Sequence, residues 1–336
     1  MSRLIELLIY ETGLMADDLV RIIATAPSRY KVFEIPKRSG GVREIAQPAR
    51  ELKLLQRIIA DKVLSELPVH PAARAYRQGL SIRDNARPHA GRGPILKMDF
   101  KDFFPSIRSV DWEKYCEENS VLDPDDRRLS CLILFRRAKG EKALKLSIGA
   151  PSSPALSNIL LYKFDELVAQ EAEKRKITYT RYADDISFSG QRIGMLKDMT
   201  KAVETAIKKT QRPRLIINDE KTSFITAKNR RFITGVTLTN DGLLSLGRDK
   251  KRLISAKVHH ASLNKLDRTQ IVALSGQLAF VNVVEPAFLS KLKERYGREL
   301  IERIQRAGYF PRLLSDRAVW RRRQPEENSS EKNSNE

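Results

Sequence analysis

The chain has 336 residues, with 62 Lys and Arg against 42 Asp and Glu, and carries a formal net charge of +20. So cationic a balance exceeds what a solvated surface needs and points to a polyanionic partner. Aromatics at 7% argue against a single-strand coat built on base stacking. No window approaches a membrane span. Glu6 and Glu11 interrupt the apolar stretch a signal peptide would need. Cys116 and Cys131 form no C-x-x-C, so they read as small buried residues rather than a zinc site or disulfide framework. The expectation is a soluble cytoplasmic protein of roughly two or three packed lobes.

Residues 2–26 predict one or two short amphipathic helices with Leu4, Leu7, Leu8, Leu14 and Leu19 as core. Strand-like runs at 30–36 and 42–47 flank Lys37-Arg38-Ser39-Gly40-Gly41, a hairpin with a basic tip. It is either an exposed turn kept soluble by charge or a flap whose Lys37 and Arg43 reach phosphates. Residues 51–67 predict a helix with Leu52, Leu55, Ile58, Ile59 and Val63 inward; Arg57 and Lys62, off that face, meet phosphate or water. Residues 73–93 read as a basic loop without period. His89 within it is by itself better read as a satisfied structural histidine.

Residues 95–104 read as a buried strand that ends in acid at Asp99. Asp102 is a cap or salt-bridge residue. Phe103 and Phe104 alternate in direction, so one of them is core. Helices are expected at 110–120 and 124–137, the second with Asp123 as N-cap before Pro124. A constrained stretch, 149–154, then opens one long helix, 154–174.

Residues 177–190 predict a hairpin with Tyr182-Ala183-Asp184-Asp185 at its tip. Alone, Y-x-D-D reads equally as a solvated acidic turn. Adjacent carboxylates repel unless a cation lies between them, and Mg²⁺, which takes carboxylate and phosphate oxygens, suits them. If the Asp99 strand is a sheet neighbour of this hairpin, three carboxylates could hold two Mg²⁺ ions. One would activate a 3′ or 2′ hydroxyl and the other would hold a triphosphate. Beyond lie a helix at 193–210, a strand at 215–218 and Lys221, either a general acid or a solvated turn lysine. A strand at 231–239 turns at Asn240-Asp241-Gly242 into 243–246. Residues 249–307 read as helical throughout, with Leu253, Val258, Leu263, Ile271, Leu274, Leu278, Phe288, Leu292 and Ile301 inward. His259 and His260 cannot face one metal from a helix. The tail after Trp320 is expected to be disordered.

The order strand–Asp99, helix, hairpin–Asp184-Asp185 resembles the palm of a reverse transcriptase, and Pro36-Lys37-Arg38-Ser39-Gly40-Gly41-Val42-Arg43 resembles its fingers hairpin. Asn85-Ala86-Arg87-Pro88-His89, Gly149-Ala150-Pro151-Ser152-Ser153-Pro154, Ile233-Thr234-Gly235 and Leu246-Gly247-Arg248-Asp249-Lys250 resemble the retron subgroup. Two positions depart from the family pattern: Ile148 stands where Gln is usual, and Ile233 where Val is usual.

The resemblance implies an α+β, right-hand polymerase with an antiparallel palm sheet backed by helices. Fingers would occupy 1–94 and 111–148, palm 95–110 and 149–247, a helical thumb 248–318, and a disordered tail 319–336. It implies catalysis by Asp99, Asp184, Asp185 and Lys221. The metal site would comprise these three aspartates and Phe100, holding two Mg²⁺. Lys37, Arg43, Phe104 and Ala150 would meet the nucleotide, with Phe104 excluding a ribose 2′-hydroxyl. Asn85, His89, Arg248, Lys250, Lys251 and Arg252 would bind RNA. The activity implied is RNA-directed synthesis of single-stranded DNA (msDNA) from dNTPs on a structured non-coding RNA (msr-msd), primed by a 2′-hydroxyl of that RNA. Anti-phage defence with a separate effector protein is implied as well. With no acid cluster for an RNase H domain in the sequence, host RNase H would remove the RNA strand. The alternatives are another bacterial reverse transcriptase, intron-like or abortive-infection, or an RNA-binding scaffold with dispensable catalysis.

Overall fold

The computed structural model describes residues 2–37, 40–226 and 228–309. Its elements divide between a unit that ends at Leu243 and one that begins at Leu244.

In the first unit the N-terminal periodicity becomes α1 (Arg3–Thr12) and α2 (Ala16–Thr25). Leu4, Leu8 and Leu19 are buried and Leu7 and Leu14 half-buried. β1 (Tyr30–Pro36) and β2 (Val42–Pro48) pair antiparallel from Tyr30↔Pro48 to Pro36↔Val42. Lys37 N–H donates to Gly41 O across the tip; Arg38 and Ser39 lie outside the described residues. α3 (Arg50–Lys62) buries Leu52, Leu55, Ile58 and Ile59 along one stripe. Lys62 faces neither phosphate nor bulk water alone but pairs with Glu11 at 3.0 Å.

The stretch 73–93 is more ordered than its lack of period predicts. Ser81 and Asp84 make a capping box for α4 (Ile82–Ala86), and a 3-10 turn, Arg87–His89, follows. β3 (Ile95–Asp99) ends in acid as expected. Asp102, with φ 46°, precedes α5 (Phe103–Ser106) without capping it through its side chain. α6 (Ser109–Glu118) and α7 (Pro124–Leu134) follow, the latter capped by Asp123. Cys116 and Cys131 are free and buried. β4 (Arg136–Arg137) and β5 (Leu144–Lys145) form a short ribbon.

The long helix expected over 154–174 is two, α8 (Ser153–Leu160) and α9 (Tyr162–Lys174). The break falls at Leu161, whose side chain is wholly buried; tertiary packing overrides a good helix former there. β6 (Thr178–Tyr182), β7 (Asp185–Ser189) and α10 (Ile193–Thr210) match expectation. No strand forms over 215–218, where Ile217 makes one isolated bridge to Phe100, and β8 (Ser223–Ile225) follows. The strand expected over 231–239 folds back as β9 (Phe232–Ile233) and β10 (Val236–Leu238). Thr234 and Gly235, at φ 44° and 80°, make the left-handed turn between them.

The central sheet runs β6-β7-β3-β8, antiparallel throughout. Register assigns its faces. Leu96, Met98, Tyr179, Ile186 and Phe188 share one face, and they join the core with Phe164 and Val168 of α9 and Leu196, Met199 and Val203 of α10. Burying each large side chain stabilises the fold by about 1.5–3 kcal/mol. The opposite face is left to Lys97, Asp99, Thr180, Tyr182, Asp185 and Ser187.

In the second unit β11 (Leu244–Ser245) leads into α11 (Arg248–Ser262), α12 (Arg268–Val284), α13 (Pro286–Tyr296) and α14 (Arg298–Tyr309). Val258, Ile271, Leu274, Leu278, Leu292 and Ile301 are buried as predicted. Leu253 and Leu263 are exposed instead, because the buried stripe of α11 keeps Val258 but flanks it with Ile254 and Ala261; Phe288 is half-buried. The last residues of the predicted thumb, 310–318, and the tail, 319–336, lie outside the described residues. Among the described residues no helix is long and apolar enough to cross a membrane.

Candidate active site

Asp99 and Asp185 are direct cross-strand partners on the polar face of the sheet, and Tyr182 pairs with Asp185 on the other side. Asp184 occupies the turn between β6 and β7, and its carbonyl accepts from Phe100 N–H at 3.2 Å. That bond ties the end of β3 to the turn. The conditional expectation is met: the third carboxylate arrives from the neighbouring strand. Asp99 is 6% exposed, and its Oδ1 accepts from Lys221 Nζ at 2.8 Å.

Burial pushes Asp185 up from 3.8 to about 6, Lys97 opposes this, and the charges of Asp184 and Asp99 add to it. Burial and Asp99 also raise Asp184, against Lys221 and Arg43. Lys221 is raised in turn, chiefly by its hydrogen bond to Asp99. A wholly oxygen donor set suits a hard divalent cation, whose charge would favour the ionised forms of Asp184 and Asp185. Among the described residues no three acidic, His or Cys side chains converge as a ready-made cage. Asp99 meets Lys221 through Oδ1, and a carboxylate with two oxygens can keep that ammonium and still join the set. Phe100 stacks its buried ring on Phe103 at 5.7 Å and meets Phe164 at 5.5 Å; only its main-chain carbonyl can serve a metal.

Around the acids, Arg43 is exposed yet near enough to lower Asp184, and Lys37 is exposed beside the hairpin tip. Phe103 is core and Phe104 half-buried, but both stand in α5, so helical position and not the expected strand alternation separates them. Ala150 is buried. It follows Gly149, at φ +117°, where an added Cβ would meet Ala46 O at 2.9 Å, so glycine is required there. The close approach is held by Ala46 N–H donating to Ile148 O at 2.8 Å.

A family model described as reverse transcriptase (RNA-dependent DNA polymerase) matches residues 35–238. The retron Ec83 reverse transcriptase of Escherichia coli is 38% identical over 83% of this chain and 90% of its own. The chain belongs to the retron reverse transcriptases. Two further relatives agree. The retron Ec86 reverse transcriptase of Escherichia coli is 31% identical, over 85% of this chain and 88% of its own. The retron Mx65 reverse transcriptase of Myxococcus xanthus is 34% identical, over 79% of this chain and 64% of its own. The chain is therefore an RNA-directed DNA polymerase with a palm-and-fingers fold, from a family that uses divalent metal ions, and its partners are RNA and DNA.

Two expected RNA-binding residues need correction in this retron enzyme. Asn85 and His89 are 1% and 0% exposed and cannot present themselves to RNA. His89 instead bridges Ser189 Oγ at 2.8 Å and Thr180 Oγ1 at 2.9 Å. It thereby fastens both strands of the acidic hairpin, and burial lowers its pKa to about 3. Asn85 Nδ2 lies 3.4 Å from Thr234 Oγ1, so N-A-x-x-H and I-T-G meet inside the protein. Lys251 is half-buried and paired with Glu285 at 2.9 Å. Arg248, Lys250 and Arg252 are exposed along α11.

Sequence reasoning missed the group that supports the acidic turn. Arg181, wholly buried, donates through Nε and Nη2 to Asp165 of α9 at 2.8 and 2.6 Å. Its Nη1 donates to Asn158 Oδ1 of α8 and to Ala183 O, each at 3.1 Å. Tyr179 Oη adds a bond to Asp165 at 2.6 Å. The available signal was alternation: Arg181 shares the apolar face of β6 with Tyr179, and Asp165 stands within the apolar stripe of its helix between Phe164 and Val168. Two lone charges on facing apolar surfaces imply a pair.

Proposed function

We propose that this retron reverse transcriptase copies part of a structured non-coding RNA (msr-msd) into single-stranded msDNA, starting from a 2′-hydroxyl of the same RNA. The observation that carries the reading is the direct pairing of Asp99 with Asp185, with Asp184 in the adjoining turn. Asp99, Asp184, Asp185 and the carbonyl of Phe100 would hold two Mg²⁺. Bound there, the ions would lower the pKa of the attacking hydroxyl and neutralise charge on the triphosphate. Lys37 and Arg43 steer the triphosphate, Phe104 abuts its sugar, and Ala150 offers main chain to the new base pair. Lys221, already hydrogen-bonded to Asp99, delivers a proton toward the leaving pyrophosphate.

The reading divides the chain into fingers (1–94, 111–148), palm (95–110, 149–247) and thumb (248–318). Arg248, Lys250 and Arg252 serve the RNA, whose shape and phosphates are what basic side chains can read. The product belongs to an anti-phage system with a separate effector protein, and host RNase H trims the RNA strand.

The test is expression with the flanking upstream DNA, followed by RNase treatment with and without debranching enzyme on a denaturing gel. A discrete DNA band whose mobility depends on debranching is expected. Asp184→Asn combined with Asp185→Asn should abolish the band while RNA binding persists. An unbranched product, or DNA synthesis by the double variant, would overturn the reading.

A further inference from the structure

Tyr76 has no place in the catalytic scheme above, yet the fold goes to some length to hold it. Its segment is docked along the edge of β6. Arg181 N–H donates to Ala72 O and Arg74 N–H to Arg181 O, each at 2.8 Å, and Ala73 makes a parallel bridge to Arg181. The carbonyl before Tyr76, Ala75 O, accepts from Asn158 Nδ2 at 2.9 Å. The Oδ1 of the same Asn158 accepts from Arg181, which also grips Ala183 O in the acidic turn. One buried group therefore fixes the main chain immediately before Tyr76 and immediately before Asp184.

The anchored residue is itself strained. Tyr76 adopts φ 60°, a left-handed conformation open to glycine and costly for an aromatic residue. Such strain persists only where the surroundings impose it, and it gathers at binding sites. The ring is not being used to fill a core, because Tyr76 is 51% exposed. It stands beside Phe104 instead, with ring centroids 6.5 Å apart and planes tilted by 41°, within the range of a favourable aromatic pair. The phenol is raised by burial and then by the charge of Asp184, while Arg43 opposes them.

We propose that Tyr76 is a second nucleotide-binding wall, its ring forming with Phe104 a continuous apolar shelf for the sugar of the incoming deoxynucleoside triphosphate. The inference rests on the polymerase reading of the acidic site. Two rings side by side match the C2′ methylene of a deoxyribose. A ribose hydroxyl set against the same surface loses its water and gains no hydrogen bond. Phe104 alone offers one edge; Tyr76 extends the surface so that the sugar is located as well as selected.

Single-nucleotide incorporation on an annealed primer and template with Mg²⁺ tests this, comparing dNTP with rNTP for the wild type, Tyr76→Gly, Tyr76→Phe and Phe104→Ala. Glycine suits the backbone at this position, so Tyr76→Gly should unfold no earlier than the wild type, and a lost activity is then a lost ring. Its KM for dNTP should rise about tenfold, the scale set by one apolar wall. Its kcat should change by less than about threefold, its preference for dNTP should narrow, and Tyr76→Phe should recover most of the loss. A wild-type KM and preference in Tyr76→Gly, while Phe104→Ala loses discrimination, would sink the role of Tyr76 and leave the polymerase reading standing. A fall in kcat alone with a lower Tm would make Tyr76 a structural residue and likewise overturn the proposal. An inactive wild type on every primed template would remove the polymerase reading and this inference together.

Discussion

At the scale of single residues the fold holds back two acids of the site, Asp184 and Asp185, from ionising. Asp185 is moved from 3.8 to about 6. A carboxyl whose pKa is higher folded than unfolded stabilises the fold in its protonated form. That contribution is complete below the unfolded value and is lost as pH rises through the folded one. Without divalent cations, the free energy of unfolding should therefore fall as pH climbs between about 4 and 6. Asp185→Asn should shrink that limb, Asp184 keeping its own share, and leave the protein more stable than the wild type at pH 8. Urea titrations at several pH values in a chelating buffer measure it, and identical pH profiles for the two proteins would contradict the assignment. Asp184 and Asp185 were legible in the sequence only together with Asp99, because an acid that ends a buried strand gives an otherwise ordinary acidic turn a partner. The residues that hold them were not, because each looks ordinary alone: one arginine in a strand, one aspartate in a helix, one asparagine near a cluster of serines.

At the scale of elements, the acidic hairpin is braced on both faces. Arg181 and Asp165 brace the apolar side with an ion pair of which neither side chain is exposed. Asp165→Asn leaves a guanidinium buried without its counter-charge and should cost about 3–5 kcal/mol, read from the shift in urea midpoint. His89 braces the polar side. His89→Ala strands the hydroxyls of Ser189 and Thr180 and should cost about 1–3 kcal/mol for each left unpaired, with RNA affinity of the folded protein maintained. A weakened RNA affinity without loss of stability would instead return His89 to an RNA-facing role. Element boundaries were legible where pattern and local signals agreed, as in α10 with its apolar stripe. They failed where packing decides. Leu161 interrupts a sequence that propensity alone would keep helical, and Thr234 turns a β-branched run back on itself.

At the scale of the whole molecule, the charge of +20 is the property that acts farthest. Cations that neutralise phosphates release counterions, so affinity falls steeply with salt. Four or five such contacts predict a loss of about 10²–10³-fold in affinity for structured RNA between 50 and 200 mM salt. Filter binding across that range measures the slope, and a flat response would mean that the basic surface is not the RNA-binding one. Arg248→Ala with Arg252→Ala should flatten the slope, because both side chains are exposed on α11. Lys251→Ala should act through stability, since Glu285 and the ring of Phe288 hold that side chain.

The Asn158–Arg181–Asp165 cluster grips its neighbours by their peptide carbonyls, Ala75 O and Ala183 O, and not by their side chains. Position 76, whose side chain is half exposed, can therefore be varied without disturbing what anchors it. For a protein engineer this separates chassis from interchangeable parts. A library that randomises Tyr76 while keeping the three buried residues fixed should be rich in folded members, and polymerases that accept sugar-modified or labelled nucleotides are best sought there.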